Sequence, residues 1–82
     1  MIKIIAARYQ GDFRVILEFS DGASGELDGR LLLQRSGPLL EPLHDESYFG
    51  RCFVDAGGLC WPNGLELSPS RLRESVRAFD PA

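Results

Sequence analysis

The alternation of apolar and polar residues divides the chain into a strand-like first half and a turn-rich second half ending in a helix. Lys3–Tyr9 is isoleucine-rich and apolar nearly throughout, which predicts a central strand or one covered on both faces. After a turn signal at Gln10-Gly11-Asp12, Phe13, Val15, Leu17 and Phe19 alternate with Arg14, Ile16 and Glu18. That period of two marks a strand with one buried face. Ile16 is the apolar residue on the polar face, and it calls for cover from another element. Ser20-Asp21-Gly22 predicts a hairpin, because Asp-Gly tolerates the positive φ of a tight turn. Ala23–Leu27 is then a third strand.

Asp28 can cap a short helix over Gly29–Arg35, of which one face buries only part of Leu31, Leu32 and Leu33. Gly29 at its start makes this helix weak, and Ser36-Gly37-Pro38 stops it. Pro38–Leu43 reads as an irregular apolar connection laid over the sheet. Asp45–Phe49 forms one turn of helix capped by Asp45 and anchored by Tyr48 and Phe49. Arg51–Asp55 and Leu59–Trp61 are the fourth and fifth strands, joined through Ala56-Gly57-Gly58.

Beyond Trp61 the chain has to leave the sheet, because Pro62 lacks a ladder donor and Asn63-Gly64 supplies a tight turn. Leu65 and Leu67 flank Glu66 in an extended stretch. Ser68 suits an N-cap and Pro69 the first helical position. Leu72, Val76 and Phe79 follow at i, i+4 and i+7, with Arg71, Arg73, Glu74 and Arg77 largely outside that stripe. The helix should end before Asp80-Pro81. The expected architecture is a single α+β domain over residues 1–82. It has a small antiparallel sheet of about five strands in hairpins, packed with a C-terminal helix and a short middle helix.

Eighty-two residues support one modest core, burying roughly 60% of the unfolded surface for a net stability of about 4–12 kcal/mol. A hydrophobic fraction of 44% excludes wholesale disorder, and a net charge of −3 argues against a protein held to nucleic acid by its overall charge. The apolar start is interrupted by Arg8 too early for a signal peptide, and no apolar run reaches the ~20 residues that cross a bilayer. With two cysteines and no export signal, the expected location is the cytoplasm, with no membrane partner.

Candidate chemistry is sparse. His44 is the one histidine and has no nucleophile motif to serve, so a surface role is expected. Cys52 and Cys60 lack C-x-x-C spacing; if their strands pair, the thiols lie nearly opposite each other, and inert packing is favoured over a redox-linked disulfide. The acidic residues form no metal-loop pattern and the glycines no phosphate-binding pattern, so neither catalytic residues nor a cofactor are expected. Arg71, Arg73 and Arg77 give the C-terminal helix a cationic strip that Arg35 or Arg51 can extend, a possible nucleic-acid contact. The absence of interleaved aromatics favours a solvated face instead. The block Trp61-Pro62-Asn63-Gly64, with Glu66, is a candidate ligand site, weighed against a structural motif in which Trp61 anchors the core and Asn63 closes its own turn.

Taken in order, F-S-D-G (Phe19–Gly22), G-E-L-D (Gly25–Asp28), P-L-x-D (Pro42–Asp45), Val54-Asp55 and W-P-N-G-x-E-L-S-P (Trp61–Pro69) resemble the small bacterial proteins of domain-of-unknown-function family 2442. The resemblance covers nearly the whole chain, with the Trp-Pro-Asn-Gly block its most specific part. The chain departs from the family pattern at Glu66 and Ser70, where Asp is common, and at Leu72-Arg73, where Leu-Tyr is common. The resemblance implies an α+β fold with a small antiparallel sheet, a bacterial cytoplasmic setting, and no established activity or catalytic residues. It also implies an accessory or antitoxin-like role toward a neighbouring small protein. The leading expectation is therefore a non-enzymatic module that binds a protein partner or itself, motivated by an apolar surplus (Ile16, Leu39, Leu40) beyond what one small core covers. The alternatives are a nucleic-acid-binding regulator using Arg71, Arg73 and Arg77, and a small-ligand protein or enzyme with its site near Trp61, Asn63 and Glu66.

Overall fold

A computed structural model describes residues 2–34 and 37–78. Its strands are β1 (Ile4–Gly11), β2 (Arg14–Phe19), β3 (Ser24–Asp28), β4 (Phe53–Asp55), β5 (Gly58–Cys60), β6 (Glu66–Leu67) and β7 (Arg77–Ala78). Three short helices, α1 (Gly29–Leu32), α2 (Glu46–Phe49) and α3 (Pro69–Ser75), and a 3-10 turn over Glu41–His44 complete the fold. The α+β class is as expected, but the strands form two antiparallel sheets rather than one of about five strands. One has the order β1-β2-β3-β7 and the other β4-β5-β6. The excursion through residues 29–52 carries the chain away from the first hairpins, so β4 and β5 pair with each other and the Asn63-Gly64 turn folds β6 onto β5. The two sheets meet where the Ile4 amide donates to the Gly57 carbonyl at 2.8 Å.

Strand β2 behaves as its alternation demands, with Val15, Leu17 and Phe19 no more than 1% exposed. Ile16 is half-buried on the other face, where its cross-strand partners are Arg8 and Glu26 rather than residues of another layer. Strand β1 is not central. It forms a sheet edge, and Ile5 is exposed while Ile4 is buried. Around these strands Leu27, Leu43, Phe49, Leu59, Trp61, Leu72 and Val76 complete one core.

The first hairpin turns one residue later than Gln10-Gly11-Asp12 suggests. Its central residues are Asp12 and Phe13, both left-handed at φ 55° and 62°, a conformation that costs a bulky residue energy. Three contacts hold it. The Asp12 amide donates to Glu46 Oε1 at 2.7 Å, the Phe13 amide to Tyr9 Oη at 3.2 Å, and the Gly29 amide to the Phe13 carbonyl at 2.7 Å. The Phe13 ring also meets the Phe49 ring edge-on at 5.3 Å. Tyr9 donates its O–H to the same Glu46 oxygen at 2.9 Å, and Arg30 pairs with Asp12. Partial burial, reinforced by the Glu46 carboxylate, pushes the Tyr9 phenol above its usual range.

Gly29 is buried for a reason that propensity does not reveal. A β-carbon there would stand 2.6 Å from Phe49 Cε2 and 2.7 Å from the Phe13 carbonyl oxygen, so the close approach of α1 to the hairpin requires glycine. Asp28 and Asp45 cap α1 and α2 as expected, accepting from the amides of Arg30 (3.0 Å) and Ser47 (3.1 Å).

The C-terminal helix departs furthest from expectation. It stops at Ser75, and Val76 turns extended (ψ 148°) to lead into β7, which pairs with Gly25 and Glu26 of β3. A seven-residue helix has little cooperative support, β-branched Val76 favours extended backbone, and the open edge of β3 offers a ladder instead. Leu72 and Val76 are buried as the stripe requires, whereas its third member, Phe79, lies outside the described residues. Ser68 and Pro69 occupy the predicted N-cap and first-turn positions. The Ser68 side chain makes no capping bond, however; its hydroxyl meets that of Ser70 at 3.1 Å.

Candidate functional site

The block that carries most of the sequence signal is structural. Trp61 is 1% exposed, packs against Phe49 with ring centroids 5.5 Å apart, and donates its indole N–H to the Phe49 carbonyl at 2.9 Å. Asn63 uses both ends of its amide. Its oxygen accepts from the Leu65 amide at 3.1 Å, and its nitrogen donates to the Leu39 carbonyl at 2.9 Å, pinning the 37–40 segment to the turn. Gly64 takes the left-handed position (φ 92°) and, like Pro62, sits on the surface. Glu66 faces a different part of the molecule, so Trp61, Asn63 and Glu66 do not converge on one ligand site.

The arginines do not assemble a helical strip either. The Arg73 guanidinium meets Asp21 at 3.2 Å and lies over the Phe19 ring at 5.7 Å. The Ala23 amide and this arginine hold the Asp21 carboxyl below its usual range. Arg77 is on β7, and Arg51 stacks over the Tyr48 ring at 5.7 Å. Arg35 lies outside the described residues. Of the helix arginines, Arg71 remains, exposed beside Glu74.

Both cysteines are free thiols. The residue paired with Cys60 is Phe53, one position beyond Cys52, so the strand register does not set the two cysteines opposite each other. Burial pushes both thiols up, aided at Cys60 by Glu66 and Asp55. His44 is exposed at the end of the 3-10 turn.

What the fold builds instead is a groove of about 640 Å³ between two walls. The end of β3 and α1 supply Leu27, Asp28, Leu31 and Leu32; β6 and α3 supply Glu66, Leu67, Arg71, Leu72, Glu74 and Ser75. Among the described residues strand β7 pairs with Gly25 and Glu26, and the next residues of β3, Leu27 and Asp28, line this groove. A smaller recess of about 330 Å³ adjoins it through Asp28, Leu31 and Ser75 and adds Arg14 and Glu26, which approach each other to 4.0 Å. Among the described side chains, the lining combines leucines with a rim of four carboxylates and two guanidiniums. Leu31 is 60% exposed there. One face of a short helix cannot bury three consecutive leucines, as the sequence indicated, although the helix ends at Leu32 rather than running to Arg35. The identity of the facing wall was not visible there, because Glu66, Leu67 and Arg71 come from a segment some 35 residues downstream.

With the hairpins, the Trp-Pro-Asn-Gly turn and the C-terminal helix in place, the match to a family profile has a structural basis. The profile of DUF2442, described as a protein of unknown function, matches residues 4–78. The chain belongs to the DUF2442 family. Within the matched residues, Trp61–Pro69 forms the β5–β6 turn and the entry to α3. Comparison with curated proteins and with solved structures returned no match. No helix among the described residues of this DUF2442 chain is long and apolar enough to cross a membrane.

Proposed function

We propose that the protein is a non-enzymatic accessory module that docks a protein partner through the groove between α1 and α3, in keeping with an antitoxin-like role in a bacterial cytoplasm. The observation that carries this reading is Leu31, 60% exposed beside Leu67 and Leu32 in a concave surface of about 640 Å³. Exposed apolar side chains in a concavity rimmed by polar groups are what partner-binding sites present. The nucleic-acid alternative loses ground because Arg73 is engaged by Asp21 and the groove rim carries more carboxylates than guanidiniums. The small-ligand alternative, centred on Trp61 and Asn63, loses its site because both side chains are committed to the fold.

The test begins with purification of the tagged protein from its host, followed by reconstitution of the complex from the two purified components. Leu31→Asp is expected to weaken the reconstituted complex at least tenfold without unfolding the protein. A complex that tolerates Leu31→Asp unchanged, or a protein that yields none to reconstitute, overturns the reading.

A further inference from the structure

Resting on that reading, we infer that the occupant of the groove is a basic amphipathic helix of the partner, an apolar stripe flanked by lysine or arginine. Charge argues first. Among the described side chains, the rim presents Glu26, Asp28, Glu66 and Glu74 against Arg14 and Arg71. Arg14 already approaches Glu26, leaving Asp28, Glu66 and Glu74 to face Arg71. An incoming acidic or phosphate-bearing chain meets like charge at this rim, whereas flanking cations are drawn to it.

Shape argues second. Adding a strand needs a run of unpaired backbone, and among the described residues the strand edges that line the groove are two residues each, Leu27 and Asp28 of β3 and Glu66 and Leu67 of β6. The walls are otherwise side chains of α1, β6 and α3, with Leu31, Leu67 and Leu72 along the apolar part. Such a surface accepts side chains from one helical face at i, i+3/i+4 and i+7. Among the described residues, neither Glu66 nor Glu74 forms a salt bridge. Glu66 and Glu74 are exposed, while Asp28 is already occupied in capping α1.

The experiment uses two synthetic helical peptides with the same leucine stripe, one flanked by lysines and one by glutamates, titrated into the full chain. Amide and methyl NMR shifts report the site, and titrations at 50 and 500 mM NaCl report the charge dependence. The lysine peptide should bind at least tenfold tighter than the glutamate peptide, shift Leu31, Leu67 and Leu72, and weaken severalfold at high salt. The double variant Glu66→Gln/Glu74→Gln should lower its affinity three- to tenfold, and Leu31→Asp should abolish it. Equal or better binding of the glutamate peptide, shifts confined to other surfaces, or a salt-insensitive interaction overturns the inference. So does a Leu31-dependent dimer by sedimentation, which assigns the groove to a second copy of the chain. The two proposals fail separately. A native partner whose binding is lost in Leu31→Asp but indifferent to Glu66 and Glu74 keeps the docking site and removes the basic helix. A partner indifferent to Leu31 removes the docking site itself.

Discussion

Two regions of this small domain treat large apolar side chains in opposite ways. At the aromatic junction, Phe49 and Trp61 are at most 1% exposed, flanked by Tyr9 and Phe13, and the Trp61 indole N–H has its acceptor. In the α1–α3 groove, Leu31 is 60% exposed, with Leu32 and Leu67 only partly covered. Both regions are built from short elements, so element length does not separate them. The difference is whether a second element arrives from elsewhere in the chain. Tyr9 of β1, Phe13, Gly29 at the start of α1 and Trp61 after β5 all pack on Phe49, while the Leu31 side of α1 and the facing side of α3 leave a groove between them. The domain closes its core with aromatics around Phe49 and leaves Leu31 exposed in the groove.

The strongest way to break that contrast is at Trp61. Trp61→Ala removes the largest fully buried side chain and should cost about 3–5 kcal/mol. Against a total of about 4–12 kcal/mol, that is enough to unfold much of the population at 37 °C. Urea unfolding followed by far-UV circular dichroism measures it. A cost below about 1 kcal/mol would mean the junction is not the closed part of the core.

Next in size is Gly29→Ala, where two arguments disagree in sign. Helix propensity alone favours alanine by about 1 kcal/mol. The contacts that its β-carbon would make, 2.6 Å to Phe49 Cε2 and 2.7 Å to the Phe13 carbonyl, include backbone that the Gly29 amide itself binds. Overpacking of this kind costs about 1–3 kcal/mol, so the variant should be destabilised. A thermal midpoint at or above that of the parent would show that α1 can move away from the junction.

How far the sequence discloses this contrast depends on how local each signal is. Val15, Leu17 and Phe19 declare their buried face through alternation, and Asp28, Asp45, Pro69 and the Trp61–Gly64 turn declare their roles through short-range chemistry. Those readings hold. The Gly29 requirement and the Arg73–Asp21 pair depend on partners 16 to 52 residues away, and the left-handed Phe13 relies on Gly29 and Phe49 as well as on nearby Tyr9. No window of the sequence contains them. The early end of α3 has the same origin, since a continuing helix lost to an open strand edge at Gly25–Glu26 that belongs to a distant hairpin. Leu31 was legible as surplus, but the groove around it was not, because its walls come from two segments with unrelated patterns.

Acid should loosen one wall of the groove. The Asp21 carboxyl, which accepts from the Ala23 amide and pairs with Arg73 of α3, sits below its ordinary range. A lowered native pKa means the unfolded state binds the proton more readily. The contribution is therefore present above the ordinary carboxylate range and is lost as pH falls through the native value. Asp21→Asn should flatten the acid limb of stability between about pH 5 and pH 2, where the unfolded aspartate titrates near ~3.9, and change little at pH 7. Unfolding midpoints of parent and variant across that range measure it. An unchanged acid limb would mean that the pair does not tie α3 to the hairpin.

The smallest expected effect is also the most discriminating. Leu31→Ser should change stability by no more than about 0.5 kcal/mol, since an exposed side chain makes few contacts to lose. Leu43→Ala, at a position with no exposure, should cost about 2–5 kcal/mol. The two leucines differ in surroundings rather than in chemistry, so the pair isolates the effect of a covering element. Urea titrations at several protein concentrations carry the comparison one step further. A concentration-independent, near-zero cost at Leu31 means that the isolated chain leaves this surface bare and that its leucine is held for another molecule. A cost of 2 kcal/mol or more that grows with concentration means that copies of the chain already cover it, and the groove would then be closed by self-association.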